Sequence, residues 1–224
     1  MNNFFNLLEV VPHNGRHKAL YVDSLIILIL VVLFLLPLYI GGTPDEEQLL
    51  TLGISTKATL SAWLDQHYHF WTNRIGLGLP QPFNNSLAHH PLSLLFLFDD
   101  FFIPISAVYT VHFFIGAFFL YALCNRFNID REISFLCVFT FLFSSASVQY
   151  VHAELWLTAA VGWTLFPVIL FLFIVLLDSK NTKQSLFISI LLGLLGGLLL
   201  LTCGLGTVFI LAVGMVIFSA FSSK

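Results

Sequence analysis

The chain has 224 residues, 58% hydrophobic and only 9% charged, with a formal net charge of −3. A soluble fold needs far more polar cover, so composition excludes a soluble globular protein and leaves a polytopic membrane protein. The nine Lys and Arg form no basic patch of the kind nucleic acid requires. The three cysteines, Cys124, Cys137 and Cys203, lie in or beside apolar runs, which reads as inert buried thiols and not as a disulfide framework.

In chain order, residues 1–19 read as a cytoplasmic N-terminal segment, with Asn2 to Val11 as a short interfacial helix. Residues 20–224 read as a single transmembrane domain. Arg16 and Lys18 precede an apolar run from Ala19 to Ile40. That run is longer than a signal-peptide core, and no small-x-small cleavage pattern follows it, so it reads as a retained first transmembrane helix, 20–40. A span takes about 20 apolar residues. Further spans are expected at 101–123, 133–150 and 160–177. The last apolar block is too long for one crossing and divides at Thr202-Cys-Gly-Leu-Gly206, giving spans at 184–201 and 206–221. Gly193 and Gly197 form a Gly-x-x-x-Gly pair expected to permit close helix contact.

Positive charge sets the orientation of these six spans. Arg16, Lys18, Arg126, Arg131, Lys180, Lys183 and Lys224 fall on one side, and only Lys57 and Arg74 on the other. The positive-inside rule makes the richer side cytoplasmic, with both termini inside and the loop 41–100 outside. The expected fold class is thus an all-α polytopic membrane protein of about six transmembrane helices, with a long first outer loop.

That loop concentrates the polar chemistry: six of the twelve acids and four of the eight histidines lie in it. Loops this long in compact proteins are usually functional. Thr43-Pro44-Asp45-Glu46 has the residue order of a helix start, with Thr43 as N-cap, Pro44 at the first helical position and Glu46 completing a capping box. Leu50, Ile54, Leu60 and Trp63 continue at rough helical spacing, predicting an interfacial helix over 44–65. Glycines and prolines between Trp71 and Pro91 predict ordered irregular backbone, and the run Pro91–Phe98 is too short to span. A second outer patch, Gln149 to Trp156, carries His152 and Glu154.

Candidate site residues follow from this placement. Asp45 and Glu46 have the carboxylates that a general base or a hard-metal site needs, although acids at a helix start also complement the helix dipole. Arg74 has the fork for a lipid phosphate and reads equally as a headgroup contact or a partner of Asp65. His89 and His90 are adjacent, so their side chains diverge, and solvated loop histidines are the commoner reading. His112 lies within a span, where an ionisable group is costly and a neutral ring bonded to a neighbouring helix is expected. Asp99 and Asp100 sit where the chain meets the membrane boundary.

Taken together the pattern resembles the glycosyltransferase C superfold, specifically the N-terminal half of bacterial YfhO-type and related polyprenol-dependent glycosyltransferases. The resemblance rests on a first helix ending in Gly41-Gly42 with Asp45 and Glu46 beyond it, and on an outer loop opening with an interfacial helix. It rests also on the stretch Trp71, Gly76, Gly78, Pro80, Pro82, Pro91, and on a helix entered through Gly162-Trp-Thr-Leu-Phe-Pro167. It implies inverting sugar transfer from a polyprenyl-phosphate donor on the outer face of a bacterial inner membrane. Asp45, or Glu46, would be base or ligand to a divalent metal ion, and Trp71, Arg74, His89, His90, His152 and Glu154 would lie on the substrate side. Family members run to many more helices, so the alternative is a catalytically inactive accessory subunit partnered by other membrane subunits as well as lipids. A transporter is disfavoured by the scarcity of charges within the spans and the lack of inverted-repeat signs. The orientation is testable: single cysteines at Lys57 or Asn85 are expected to react with an impermeant thiol reagent from outside, and cysteines at Asn128 or Asn181 are not. Outside labelling at 128 inverts the scheme.

Overall fold

The computed structural model describes residues 16–40, 57, 60, 71–72, 79–80, 91–97, 102–153, 157–179, 181–203, 212 and 215. Four helices are long and apolar enough to cross a membrane, and five spans result when a bent pair is counted as one. This establishes an integral membrane protein built of helices. The expected spans are present with ends shifted by a few residues: α1 (Arg16–Tyr39), α2 (Phe102–Arg126), α5 (Leu157–Asp178) and α6 (Thr182–Cys203). The expected sixth span, 206–221, lies outside the described residues apart from positions 212 and 215, where Met215 packs against the core.

The expected third span differs in kind. The chain is helical from Arg131 to Leu142 (α3), breaks, resumes as one turn at Ser145–Val148 (α4), and continues as a π-helical segment, Gln149–Ala153. The two parts meet at 41°. An apolar run alone predicts one straight helix, whereas Ser144-Ser-Ala-Ser147 supplies hydroxyls that compete for the backbone and bend it.

In the expected outer loop, Trp71–Thr72 (β1) pairs antiparallel with Leu79–Pro80 (β2), Trp71 opposite Pro80 and Thr72 opposite Leu79. The irregular backbone expected there thus includes one short ladder. Pro91–Leu97 is a 3-10 helix that packs on α2 and does not cross, as its length requires. Of the expected interfacial helix, Lys57 and Leu60 are helical and Leu60 is buried; the rest lies outside the described residues.

Packing follows from which helices offer a close approach. α5 is the central element, with 67% of its span buried, against 11% for α6. α5 packs on α2 and α6, and α2 also on α1 and α3. Among the described glycines the close approach is at Gly116 of α2, where an added Cβ would lie 2.7 Å from the Thr164 carbonyl oxygen and 3.1 Å from the Thr164 Cα. Only a hydrogen fits there. At Gly193 and Gly197 an added Cβ meets nothing within 4 Å among the described residues, so the expected close contact at that pair is made with no described helix. Small residues allow approach, but the partner helix decides whether it happens.

The turn from α2 to α3 is equally determined. Asn128 takes a left-handed conformation (φ 55°), Ile129 N–H donates to the Cys124 carbonyl at 3.0 Å, and Asn128 N–H donates to the Asn125 carbonyl at 3.1 Å. This is a Schellman-type closure with Asn in the position glycine usually holds. It ends α2 abruptly and returns the chain in time for Arg131 to face α1.

Gly116→Ala is expected to destabilise the protein by about 1–3 kcal/mol through overpacking against a backbone that cannot yield. Gly193→Ala is expected to be neutral or slightly stabilising. Unfolding curves in detergent with increasing denaturant separate the two.

Candidate functional site

Polar side chains gather at the two ends of the bundle and at one point between. At the end where α1 leads toward the 41–100 loop, three elements meet. The Tyr39 hydroxyl of α1 bonds the Thr110 hydroxyl of α2, which itself donates to the Ser106 carbonyl at 2.6 Å. Tyr109, fully buried, donates its hydroxyl to the Tyr150 carbonyl in the π-helical segment at 3.0 Å. The His152 Nε2 lies 3.0 Å from the Phe34 carbonyl of α1, and its ring stands edge-on to the Phe34 ring at 5.1 Å. A carbonyl only accepts, so Nε2 carries the proton, and the Nδ1 of a neutral ring holds the lone pair. Pro37 has no N–H to offer the carbonyl four residues back, so α1 is already loosened beside this contact. The buried Ser106 hydroxyl has no hydrogen-bond partner among the described residues.

Midway through the bundle, the buried His112 faces α5, with Nδ1 3.4 Å from the Thr164 hydroxyl oxygen. Thr164 commits its own proton to the Ala160 carbonyl at 2.8 Å. The expected bond from this ring to a neighbouring helix is present, one turn from the close approach at Gly116.

At the opposite end, Asp23 of α1 is almost fully buried. Its Oδ1 accepts from Arg131 Nε at 3.0 Å and Nη2 at 2.6 Å, and its Oδ2 accepts from the Tyr121 hydroxyl at 2.5 Å. Phe135 lies under the Arg131 guanidinium at 5.5 Å and against the Tyr121 ring at 5.0 Å. A buried carboxylate is tolerable only when paired and hydrogen-bonded, and this one is both. The cluster joins α1, α2 and α3. A second pair, Arg126 with Asp178, joins α2 to α5, but Asp178 is 62% exposed, so the pair contributes little.

Of the residues singled out from the sequence, His152 has a described side chain, and it is brought against α1. Trp71 is placed through its backbone, in β1. Asp45, Glu46, Arg74, His89, His90 and Glu154 lie outside the described residues. Among the described residues no group of three His, Cys, Asp or Glu comes together that could hold a metal ion. Asp23 was missed, although the signal was present: an acid three residues into an otherwise apolar span, which in a membrane demands a partner. Tyr121 and Arg131 could not have been matched to it from spacing alone.

No family model matches the chain, and neither a curated protein nor a solved structure matches it. The class defined by the fold is an α-helical integral membrane protein with polar clusters at both ends of its bundle.

Tyr121→Phe removes one interhelical hydrogen bond to a charged acceptor and keeps the ring on Phe135. The expected loss is about 1–2 kcal/mol, read from unfolding in detergent. Tyr121→Phe placed on an Asp23→Asn background should cost less than it does alone, because the charged acceptor is gone.

Proposed function

We propose that the protein is an integral membrane glycosyltransferase-like protein of the glycosyltransferase C type, transferring a sugar from a polyprenyl-phosphate donor on the outer face of the membrane. The observation that carries this reading is the grouping of His152, Tyr109 and Tyr39 at the end of the bundle from which the acidic loop departs. Asp45 is six residues beyond Tyr39, so the chain cannot take it more than about 20 Å away. The segment that carries Asp45 thus leaves the bundle at the end where His152 lies.

In this reading Asp45 takes the proton of an acceptor hydroxyl while its oxygen attacks the anomeric carbon. The bond from that carbon to the donor phosphate breaks, and the polyprenyl phosphate leaves with the bonding pair. A carboxylate suits the base role because it is ionised at neutral pH and acts at hydrogen-bond distance. Arg74, on the same loop, offers a bidentate fork for the departing phosphate. Glu46 stands beside the base. In this reading Trp71, His89, His90, His152 and Glu154 line the sugar or acceptor. A divalent cation in such a site would take oxygen ligands from Asp45 and Glu46 and would supply charge to the phosphate.

The second reading, an inactive accessory subunit in a larger membrane assembly, is favoured by one observation. The His152 and Tyr109 side chains are already committed to holding helices together.

One substitution separates the two. Asp45→Asn keeps size and most capping ability but removes basicity. Sugar transfer from a polyprenyl-phosphate donor in membranes should fall by about 10²–10⁴-fold, the range for loss of a general base, with protein level unchanged. Thr43→Ala should cost about 1 kcal/mol of stability, as for a lost N-cap, and spare transfer. Full activity of Asp45→Asn would overturn the catalytic assignment.

A further inference from the structure

The broken third span is built to bend. Ser144 is extended (φ −64°, ψ 155°) between two helical stretches. A break in hydrocarbon frees backbone groups that lipid cannot satisfy, yet here serine side chains take them up. The Phe141 carbonyl accepts from the Ser144 hydroxyl at 3.0 Å and the Ser147 hydroxyl at 2.7 Å. Ser147 N–H donates to the Ser144 hydroxyl oxygen at 3.2 Å, and Val148 N–H donates to the Ser144 carbonyl at 3.0 Å. The two halves are joined through one extended residue and hydroxyl bridges instead of a continuous helical ladder.

The two halves are held by different kinds of side-chain contact, although α1, α2 and α5 each touch both. Residues 131–142 are fixed by the Asp23–Arg131–Tyr121 cluster and by Phe135 against Tyr121. Residues 145–153 are held by three separate side-chain hydrogen bonds to three helices. These are Trp163 Nε1 to the Ser147 hydroxyl at 3.0 Å, the Tyr109 hydroxyl to the Tyr150 carbonyl at 3.0 Å, and His152 to the Phe34 carbonyl at 3.0 Å. Rings surround the joint. Phe34 meets Phe143 edge-on at 5.5 Å just before the break and His152 just after it, and Phe141 stacks on Trp163 at 5.5 Å and 12°. Aromatic pairs are favourable both offset-stacked and edge-on, so these rings have more than one good arrangement as the angle at the joint changes.

We infer that the third span is a hinge: residues 145–153 swing as a unit about Ser144, latched by the bond from Trp163 to Ser147, and their release lifts His152 off the Phe34 carbonyl. An ion pair anchors one half while neutral hydrogen bonds hold the other, so opening starts at the His152 end and leaves the Arg131 end in place. The inference does not depend on the sugar-transfer reading, and its test involves no activity.

The test is hydrogen–deuterium exchange of the full chain in lipid nanodiscs. Trp163→Phe keeps a ring on Phe141 and deletes the latch donor. Exchange across 145–153 should rise about three- to tenfold, the effect of one membrane hydrogen bond, while 131–142 stays at the wild-type rate. Tyr109→Phe should give the same signature from another helix, so the test survives if Trp163→Phe does not fold. Tyr121→Phe should do the reverse, raising 131–142 and sparing 145–153. If any of these substitutions raises both halves together, or if neither Trp163→Phe nor Tyr109→Phe alters 145–153, the span is one rigid rod and the hinge is overturned.

Discussion

A bilayer interior offers no partner to a backbone amide or carbonyl, and nearly every feature of this structure answers that constraint. It is why the apolar runs are helices. It is also why the places where the helices fail are lined with hydroxyls and amides that take over the freed groups. Ser144 and Ser147 cap the break in the third span, Tyr109 reaches the Tyr150 carbonyl, and the Asn128 turn closes α2 on itself. The same demand operates on side chains: Asp23 is stable within a span because Arg131 and Tyr121 occupy both of its oxygens.

Hydrophobicity does not choose between helix pairs when the solvent is as apolar as the side chains, so packing geometry must. Here the choice falls on Gly116 against Thr164, where α2 and α5 come close enough that backbone meets backbone. That contact makes α5 the centre of the bundle and brings His112 against Thr164. With α2 fixed, the Asn128 turn positions α3, and the Asp23 cluster ties α3 to α1. The bundle is thus organised outward from one glycine, and α6, whose glycines Gly193, Gly196 and Gly197 meet no described residue, is its least embedded described span.

The two ends of the bundle are chemically unlike. At the Arg131 end a carboxylate, a guanidinium and a phenol satisfy one another, an arrangement that stiffens. At the His152 end the described groups are neutral, a serine hydroxyl is buried without a partner among the described residues, and one imidazole nitrogen is pinned while the other keeps its lone pair. Such an end can rearrange at modest cost. It is also the end to which the loop carrying Asp45 is covalently tied, and the proposed chemistry and the proposed hinge both draw on it.

Composition and hydropathy alone determined that the chain is a helical membrane protein and where its described spans lie to within a few residues, because burying backbone polar groups in lipid leaves a run of some twenty apolar residues no choice but helix. The sequence also marked the loop where polar residues concentrate and His152 as a residue facing that side. Tertiary structure decided the rest. Gly116, one glycine in a Phe-rich run, became a close contact between described helices while Gly193 and Gly197 meet no described one, since a Gly-x-x-x-Gly spacing describes one surface and close packing needs two. Asp23 was visible as an acid in an apolar span, but its partners lie 98 and 108 residues away in the chain, a pairing that only the folded arrangement of α1, α2 and α3 creates. The break at Ser144 was hidden for a related reason: serine is tolerated in a straight helix, and whether a run of serines bends one depends on what the neighbouring helices offer their hydroxyls, here the indole of Trp163 donating to Ser147.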